Sequence, residues 1–100
     1  MVKKFDVFFC ECSGTEKPCV ILSPDDMNEI LPYVLVAPIT NVTRGFPCRV
    51  GVKLKGQMGQ VALDLIRSVP KANLTKRIGS LPDPLQGEIL KLLKELFGIH

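Results

Sequence analysis

Three short stretches of the sequence bring together side chains that can move a proton or hold a phosphate. Glu16-Lys17-Pro18 sets a carboxylate beside an ammonium. Thr40 and Asn41 close the apolar run Tyr33-Val34-Leu35-Val36-Ala37 and are followed by Arg44-Gly45-Phe46-Pro47. Asp64 stands three residues before Arg67. The single histidine, His100, is the last residue, and a chain terminus is a poor place to fix a catalytic group. Its position removes the Ser-His-Asp and Cys-His arrangements of nucleophilic catalysis. The sequence has no Gly-rich phosphate loop of the Walker or dinucleotide type. One chemistry stays open to this set: cleavage of RNA by the substrate's own 2′-hydroxyl. It requires a proton acceptor, a proton donor for the leaving 5′ oxygen, and cations or hydroxyls around the phosphorane. The composition permits that reaction without showing it.

The elements that must position these residues belong to one small domain spanning 1–100, since a hundred residues support a single core. A hydrophobic content of 46% in so short a chain implies an oligomer. No apolar run approaches the roughly 18 residues of a membrane span, and acids at Asp6 and Glu11 interrupt the apolar part a signal peptide would need. The expected location is therefore cytoplasmic, with no membrane partner. The net charge of +3 is uneven: residues 1–50 carry five Lys/Arg against six acids, residues 51–100 eight against four. Arg67, Lys71, Lys76 and Arg77 fall in an acid-free stretch between Leu65 and Pro82, which suits either a solvated basic face or phosphate contacts. Cys10, Cys12, Cys19 and Cys48 match no common zinc spacing, and read as free buried thiols rather than a disulfide or metal site.

Val7–Cys12 reads as a first strand and Pro18–Leu22 as a short buried second strand. Ser23 is placed as an N-cap, with Pro24 opening a short helix and Asp25 and Asp26 near its positive end. Strands are expected at Tyr33–Ile39, Cys48–Lys55, Val61–Val69 and Thr75–Leu81. A turn is expected at Gly56–Gly59 and a single helical turn at Pro70–Leu74. Leu85, Ile89, Leu92, Leu93 and Leu96 share one helical face, with Asp83 as cap, Gln86 in capping-box spacing and Gly98 as stop. Short strands followed by one amphipathic helix predict a mainly β (α+β) fold, a small twisted sheet or barrel with the helix packed against it.

Lys17-Pro18-Cys19-Val20-Ile21-Leu22-Ser23, Leu35-Val36-Ala37-Pro38-Ile39-Thr40 and Arg44-Gly45-Phe46-Pro47 resemble, in order and spacing, the MazF/PemK (Kid) toxins. Val61-Ala62-Leu63-Asp64-Leu65-Ile66-Arg67-Ser68-Val69 and Leu74-Thr75-Lys76-Arg77-Ile78-Gly79 extend the likeness over nearly the whole chain. The resemblance implies a CcdB/Kid/MazF-like, SH3-like small β-barrel with short helices and a C-terminal amphipathic helix. It implies a homodimer whose grooves take single-stranded mRNA or, alternatively, an antitoxin tail. It also implies sequence-specific cleavage with no metal and no cofactor. In these terms Lys17, Thr40 and Glu16 are the catalytic residues, while Ser23, Asn41, Arg44, Asp64 and Arg67 contact RNA.

The sequence departs from the family pattern in four places. Lys17 stands where the family has arginine, keeping the charge but losing the planar fork that grips a phosphate twice. The segment before it is short, Phe5 rather than glycine precedes Asp6, and Leu65 rather than glutamine follows Asp64. These changes lead us to expect a slower ribonuclease. They leave room for a non-catalytic member that binds RNA or antitoxin, and for a gyrase inhibitor of the CcdB branch. For Asp64 the plainer alternative is a salt bridge to Arg67.

Overall fold

The computed structural model describes residues 2–98; His100 lies outside them. Two tight turns set the register of four strands. Ser13 (φ 53) and Gly14 (φ 77) are both left-handed, the backbone of a type I′ turn. They join β1 (Asp6–Cys12) to β2 (Thr15–Ile21), with Cys12 directly opposite Thr15. Lys55 (φ 48) and Gly56 (φ 80) repeat the device between β4 (Arg49–Leu54) and β5 (Gln57–Ala62). Both results correct the sequence reading. A type I′ turn consumes only two residues, so the second strand starts at Thr15 rather than Pro18. Glu16 and Lys17 therefore stand on a strand, opposite Glu11 and Cys10. In the same way the second turn ends at Gly56, and Gln57–Gly59 are already paired with β4.

β3 (Tyr33–Thr40) is the strand on which the others are arranged. Its residues Val36, Ala37 and Pro38 pair with β2, whereas Ile39 and Thr40 pair with β5. Along its other length Tyr33–Val36 pair with β6 (Arg67–Pro70). The expected single strand from Val61 to Val69 is thus two strands, β5 and β6, lying end to end along β3. Between them Leu63–Leu65 form a 3-10 turn that displaces Asp64 from the ladder. β7 (Leu74–Ser80) adds to β1, preceded by a second 3-10 turn at Lys71–Asn73. The order β4-β5-β3-β2-β1-β7 curls into a half-barrel whose end strands, β4 and β7, each pair on one side only among the described residues. A cavity of about 360 Å³ lies between the ends of those two strands.

Strand alternation sorts the apolar residues into two clusters on opposite faces of the sheet. Val7, Val20, Ala37, Ile39, Val50, Val52 and Val61 pack beneath Ile89, Leu85, Leu92 and Leu93 of helix α2 (Asp83–Leu96). Cys10, Cys19, Ile21, Val34, Val36 and Val69 form the other cluster. Gln86 does not close a capping box, because the N-cap is Pro82, which has no N–H to offer. Its amide instead donates to the Leu81 carbonyl at 2.8 Å. Ser23 is likewise no helix cap: Pro24 takes that place before helix α1 (Asp25–Ile30). Phe5 has φ 69 with its ring buried, which is where the resembling family carries glycine. The left-handed backbone costs a bulky residue about 1 kcal/mol or more, and burial of the ring offsets it.

Ile89 is fully buried at the centre of the helix–sheet contact. Ile89→Ala should lower unfolding free energy by about 2–5 kcal/mol, read from denaturant titration with an unchanged m-value.

Candidate active-site groove

The groove of interest opens where the β2–β3 ladder ends while β3 runs on beside β5 on its other edge. Pro18 and Pro38 stand at that end, and neither has an N–H to extend the β2–β3 ladder. A cleft of about 960 Å³ results, with Phe9, Pro18, Pro38, Ile39 and Met58 among its apolar lining. Glu16, Lys17, Thr40, Asn41, Asp64 and Arg67 all border it. Six of the eight residues singled out in the sequence are thereby brought to one place from four separate segments.

Register shows how the side chains are shared between faces. Lys17 is opposite Cys10 and two residues from Cys19, while Thr40 has the parity of Val34 and Val36. Arg67 lies opposite Val36, which lies opposite Ile21. Lys17, Thr40 and Arg67 therefore share the face of the thiol-containing cluster. Glu16 alternates to the other face of β2, and the groove wraps the strand end to reach both.

The Thr40 oxygen accepts the Val42 N–H at 3.1 Å, the local bond expected of a strand-end threonine. This bond fixes the hydroxyl oxygen while leaving its own O–H to donate. Gly59 supports the same residue from β5: a methyl group there would lie 3.0 Å from the Thr40 carbonyl oxygen and 3.2 Å from Ile39 Cγ2. Only a bare backbone lets β5 run this close.

Two further clamps hold the loop after Thr40. The Gln60 side chain accepts the Arg44 N–H at 2.9 Å and donates to the Arg44 carbonyl at 3.1 Å. Arg49 donates to both oxygens of Asp64, at 2.7 and 3.0 Å, and its guanidinium lies 5.2 Å from the centre of the Phe46 ring. The Asp64 partner is thus Arg49 and not Arg67, because the 3-10 turn swings Asp64 toward β4. These hydrogen bonds hold the Asp64 carboxyl below the ordinary carboxylate range and raise the Arg49 guanidinium in turn. A carboxylate held in this way positions the loop and is a weak proton acceptor.

Two residues fall outside the groove. Arg44 is exposed on the loop with its backbone clamped. Ser23 is 2% exposed. Its hydroxyl donates to the Asn28 side chain and accepts the Leu35 N–H at 3.1 Å. A hydroxyl so enclosed has no access to a polymer, which corrects its assignment to RNA contact. Arg49, Gln60, Gly59 and Lys55 were missed. Gln60 carried the one available signal, a polar residue set in the otherwise apolar run from Gly59 to Leu63. Lys55 also borders the cleft, its ammonium 5.8 Å from the centre of the Phe9 ring.

Two outcomes follow from this geometry. Gly59→Ala should destabilise by about 1–3 kcal/mol and shift the backbone amide resonances of Ile39 and Thr40. A lowered folded pKa means that Asp64 stabilises above its ordinary value of about 3.9 and that this stability is lost as pH falls through the folded value. Asp64→Asn should therefore be less stable than wild type at pH 7, with the gap between them closing as acid is added in parallel melts.

A search of curated protein sequences gave no match. Solved structures give many. A Mycobacterial endoribonuclease in complex with its cognate antitoxin superposes with a TM-score of 0.91 at 22% identity, covering 100% of this chain and 98% of that one. The Mycobacterium tuberculosis toxin MazF-mt6 superposes with a TM-score of 0.87 at 23% identity, covering 95% and 98%. MazF in the MazE–MazF complex of Deinococcus radiodurans gives 0.87 at 22%, covering 99% and 97%. At these identities the likeness speaks for the fold. The sequence itself, over residues 3–97, matches the profile of the PemK-like, MazF-like toxins of type II toxin-antitoxin systems, and the chain belongs to that family.

Proposed function

We propose that the protein is a metal-independent, sequence-specific endoribonuclease that cleaves single-stranded mRNA through the substrate's 2′-hydroxyl. The observation that carries this reading is the convergence of Lys17, Thr40 and Glu16 on one groove flanked by Arg67 and Lys55. An in-line displacement needs its proton acceptor and its proton donor on opposite sides of the phosphorus. Glu16 and Lys17, alternating about one strand end, meet that need: the carboxylate takes the 2′ proton and the ammonium serves the leaving 5′ oxygen. Thr40 donates its hydroxyl hydrogen to a phosphate oxygen as charge builds there. Lys17 supplies a single point charge rather than a bidentate fork, so the phosphate is held from one side and Arg67 completes its surroundings. The Phe9 ring and the apolar floor offer stacking surface for unpaired bases, and Asn41 and Arg44 flank the strand as it leaves.

The proposed partners follow from the same surface. Ile30, Tyr33, Leu35 and Leu65 are exposed apolar side chains, which a second copy would cover in a homodimer. An acidic, partly disordered antitoxin would compete with RNA for the cations of the groove. The Mycobacterial endoribonuclease that superposes on this chain was solved with its cognate antitoxin, which supports that expectation.

Lys17→Ala and Thr40→Ala should each slow cleavage of a long unstructured RNA by about 100-fold or more. Thermal stability should stay within about 0.5 kcal/mol of wild type. End mapping in EDTA reads both the activity and the sequence cut. Intact RNA from a well-folded wild-type dimer would move the assignment to a binding-only member, and Lys17→Arg would then be the restoring substitution.

A further inference from the structure

The thiol cluster beneath Lys17 has no part in the reaction proposed above. Cys10 Sγ lies 3.4 Å from Cys12 Sγ, on the same face of one strand. Cys10 and Cys19 are buried, and Cys12 is half-buried, so solvent meets the cluster at Cys12. This is also where β1 is least constrained. Its pairing with β7 slips between Phe9 and Cys10, and Cys10 is the last residue so paired. Beyond it β1 is held by β2 alone. The positive charge of Arg67 acts on both buried thiols. Among the described residues no three His, Cys, Asp or Glu side chains are placed to share a metal ion.

We propose that Cys10 and Cys12 form an oxidisable dithiol, a modification site at which a hydroperoxide generates an intrastrand disulfide. The Cys12 sulfur attacks the peroxide and is oxidised to the sulfenic acid, releasing the alcohol, or water from hydrogen peroxide. The Cys10 sulfur then attacks the Cys12 sulfur, the S–O bond breaks, and the hydroxyl leaves as water with the Cys10 proton. Each disulfide consumes one peroxide and both thiol hydrogens. Cys12 is the one thiol of the cluster that solvent reaches, which makes it the first to react and buried Cys10 the resolving partner; burial also pushes Cys10 up to about 11 and Cys19 up to about 12.

The two sulfurs are already in contact at 3.4 Å, and the bond forms when the strand end contracts to bring the two Cβ atoms together. A strand rise of about 3.3 Å per residue sets the two Cα atoms about 6.6 Å apart, near the upper end of the usual disulfide range of about 6.8 Å. Closing the bond shortens a strand end that only β2 restrains. A bond made at the long end of the range is readily reduced, so a dithiol should reverse it. Cys10 is opposite Lys17 and Cys12 opposite Thr15, so the shortening falls on the segment that carries Lys17. Any effect on cleavage rests on the function proposed above; the disulfide does not.

The test treats reduced, purified protein with one equivalent of hydrogen peroxide and maps peptides without reduction. Free thiols should fall from four to two, with Cys10 and Cys12 joined in one peptide of a monomeric chain on a denaturing gel, and dithiothreitol should restore all four. Cys48→Ser should form the bond as wild type does, and Cys12→Ser should keep Cys10 and Cys19 reduced. A disulfide through Cys19 or Cys48, a bond between chains, or sulfinic acid at Cys12 without a bond would overturn the proposal. RNA cleavage is assayed before and after oxidation on the same samples. A protein that never cleaves refutes the ribonuclease reading and leaves the thiol map intact.

Discussion

The structure depends on one strand outrunning its neighbour. β3 lies between β2 and β5, pairing with β2 only as far as Pro38 and with β5 on its opposite edge at Ile39 and Thr40. Pro38, the last residue of β3 in the β2 ladder, has no N–H to give it, and neither does Pro18 beyond it on β2. Past that point β5 and β4 continue the sheet along one edge of β3 while the other edge is bare, and the cleft opens beside the bare end. Thr40, the last residue of β3, stands at the mouth of the groove because the β2 ladder stops before it.

Around this break the molecule trades ladder bonds for side-chain clamps. Gln60 grips the backbone of Arg44 with two hydrogen bonds, and Arg49 grips Asp64 with two more. Each closes a loop whose backbone leaves the sheet, and each places a charge-assisted or amide pair where a strand neighbour would otherwise be. Arg49 and Asp64 are 8% and 29% exposed, so water screens this pair incompletely. The two apolar clusters divide the labour. One is sealed by α2 and holds the sheet's curvature; the other carries free thiols and underlies Lys17, Thr40 and Arg67. A site built directly on a second, smaller core can feel changes in that core.

Lys17, set by the resemblance where an arginine is expected, is easier to interpret once its strand is known. Under the proposed function, a lysine on a loop would have to find the phosphate unaided. On β2, one residue from Pro18 and opposite Cys10, its backbone is fixed by the β1 ladder, and only the four-carbon stem remains to be ordered. The tight turn at Ser13-Gly14 thus leaves no loop before Lys17 and stiffens the residue itself. Phe5 shows the same economy at the start of β1, where burial of a ring offsets a backbone that favours glycine.

The apolar faces, most of the strands, the two helices and the family pattern were legible in the sequence alone. Alternation at Val50, Val52 and Leu54, the helical spacing of Leu85, Ile89, Leu92 and Leu93, and the prolines at strand ends are local signals, because side-chain direction repeats every two or 3.6 residues. Boundaries escaped it where φ alone decides. Nothing in the letters Ser13 and Lys55 announces a left-handed backbone, and both turns therefore came out shorter than expected. Ser23 and Asp64 escaped it for a different reason. A serine before Pro-Asp-Asp and an acid before an arginine have plausible local partners, yet Ser23 binds Leu35 and the Asn28 side chain, and Asp64 binds Arg49, fifteen residues away. The groove itself exists only in the tertiary structure. It lies between strands that meet and part according to which N–H groups face one another, and that pairing joins residues far apart in the chain whose spacing along it carries no record of the contact.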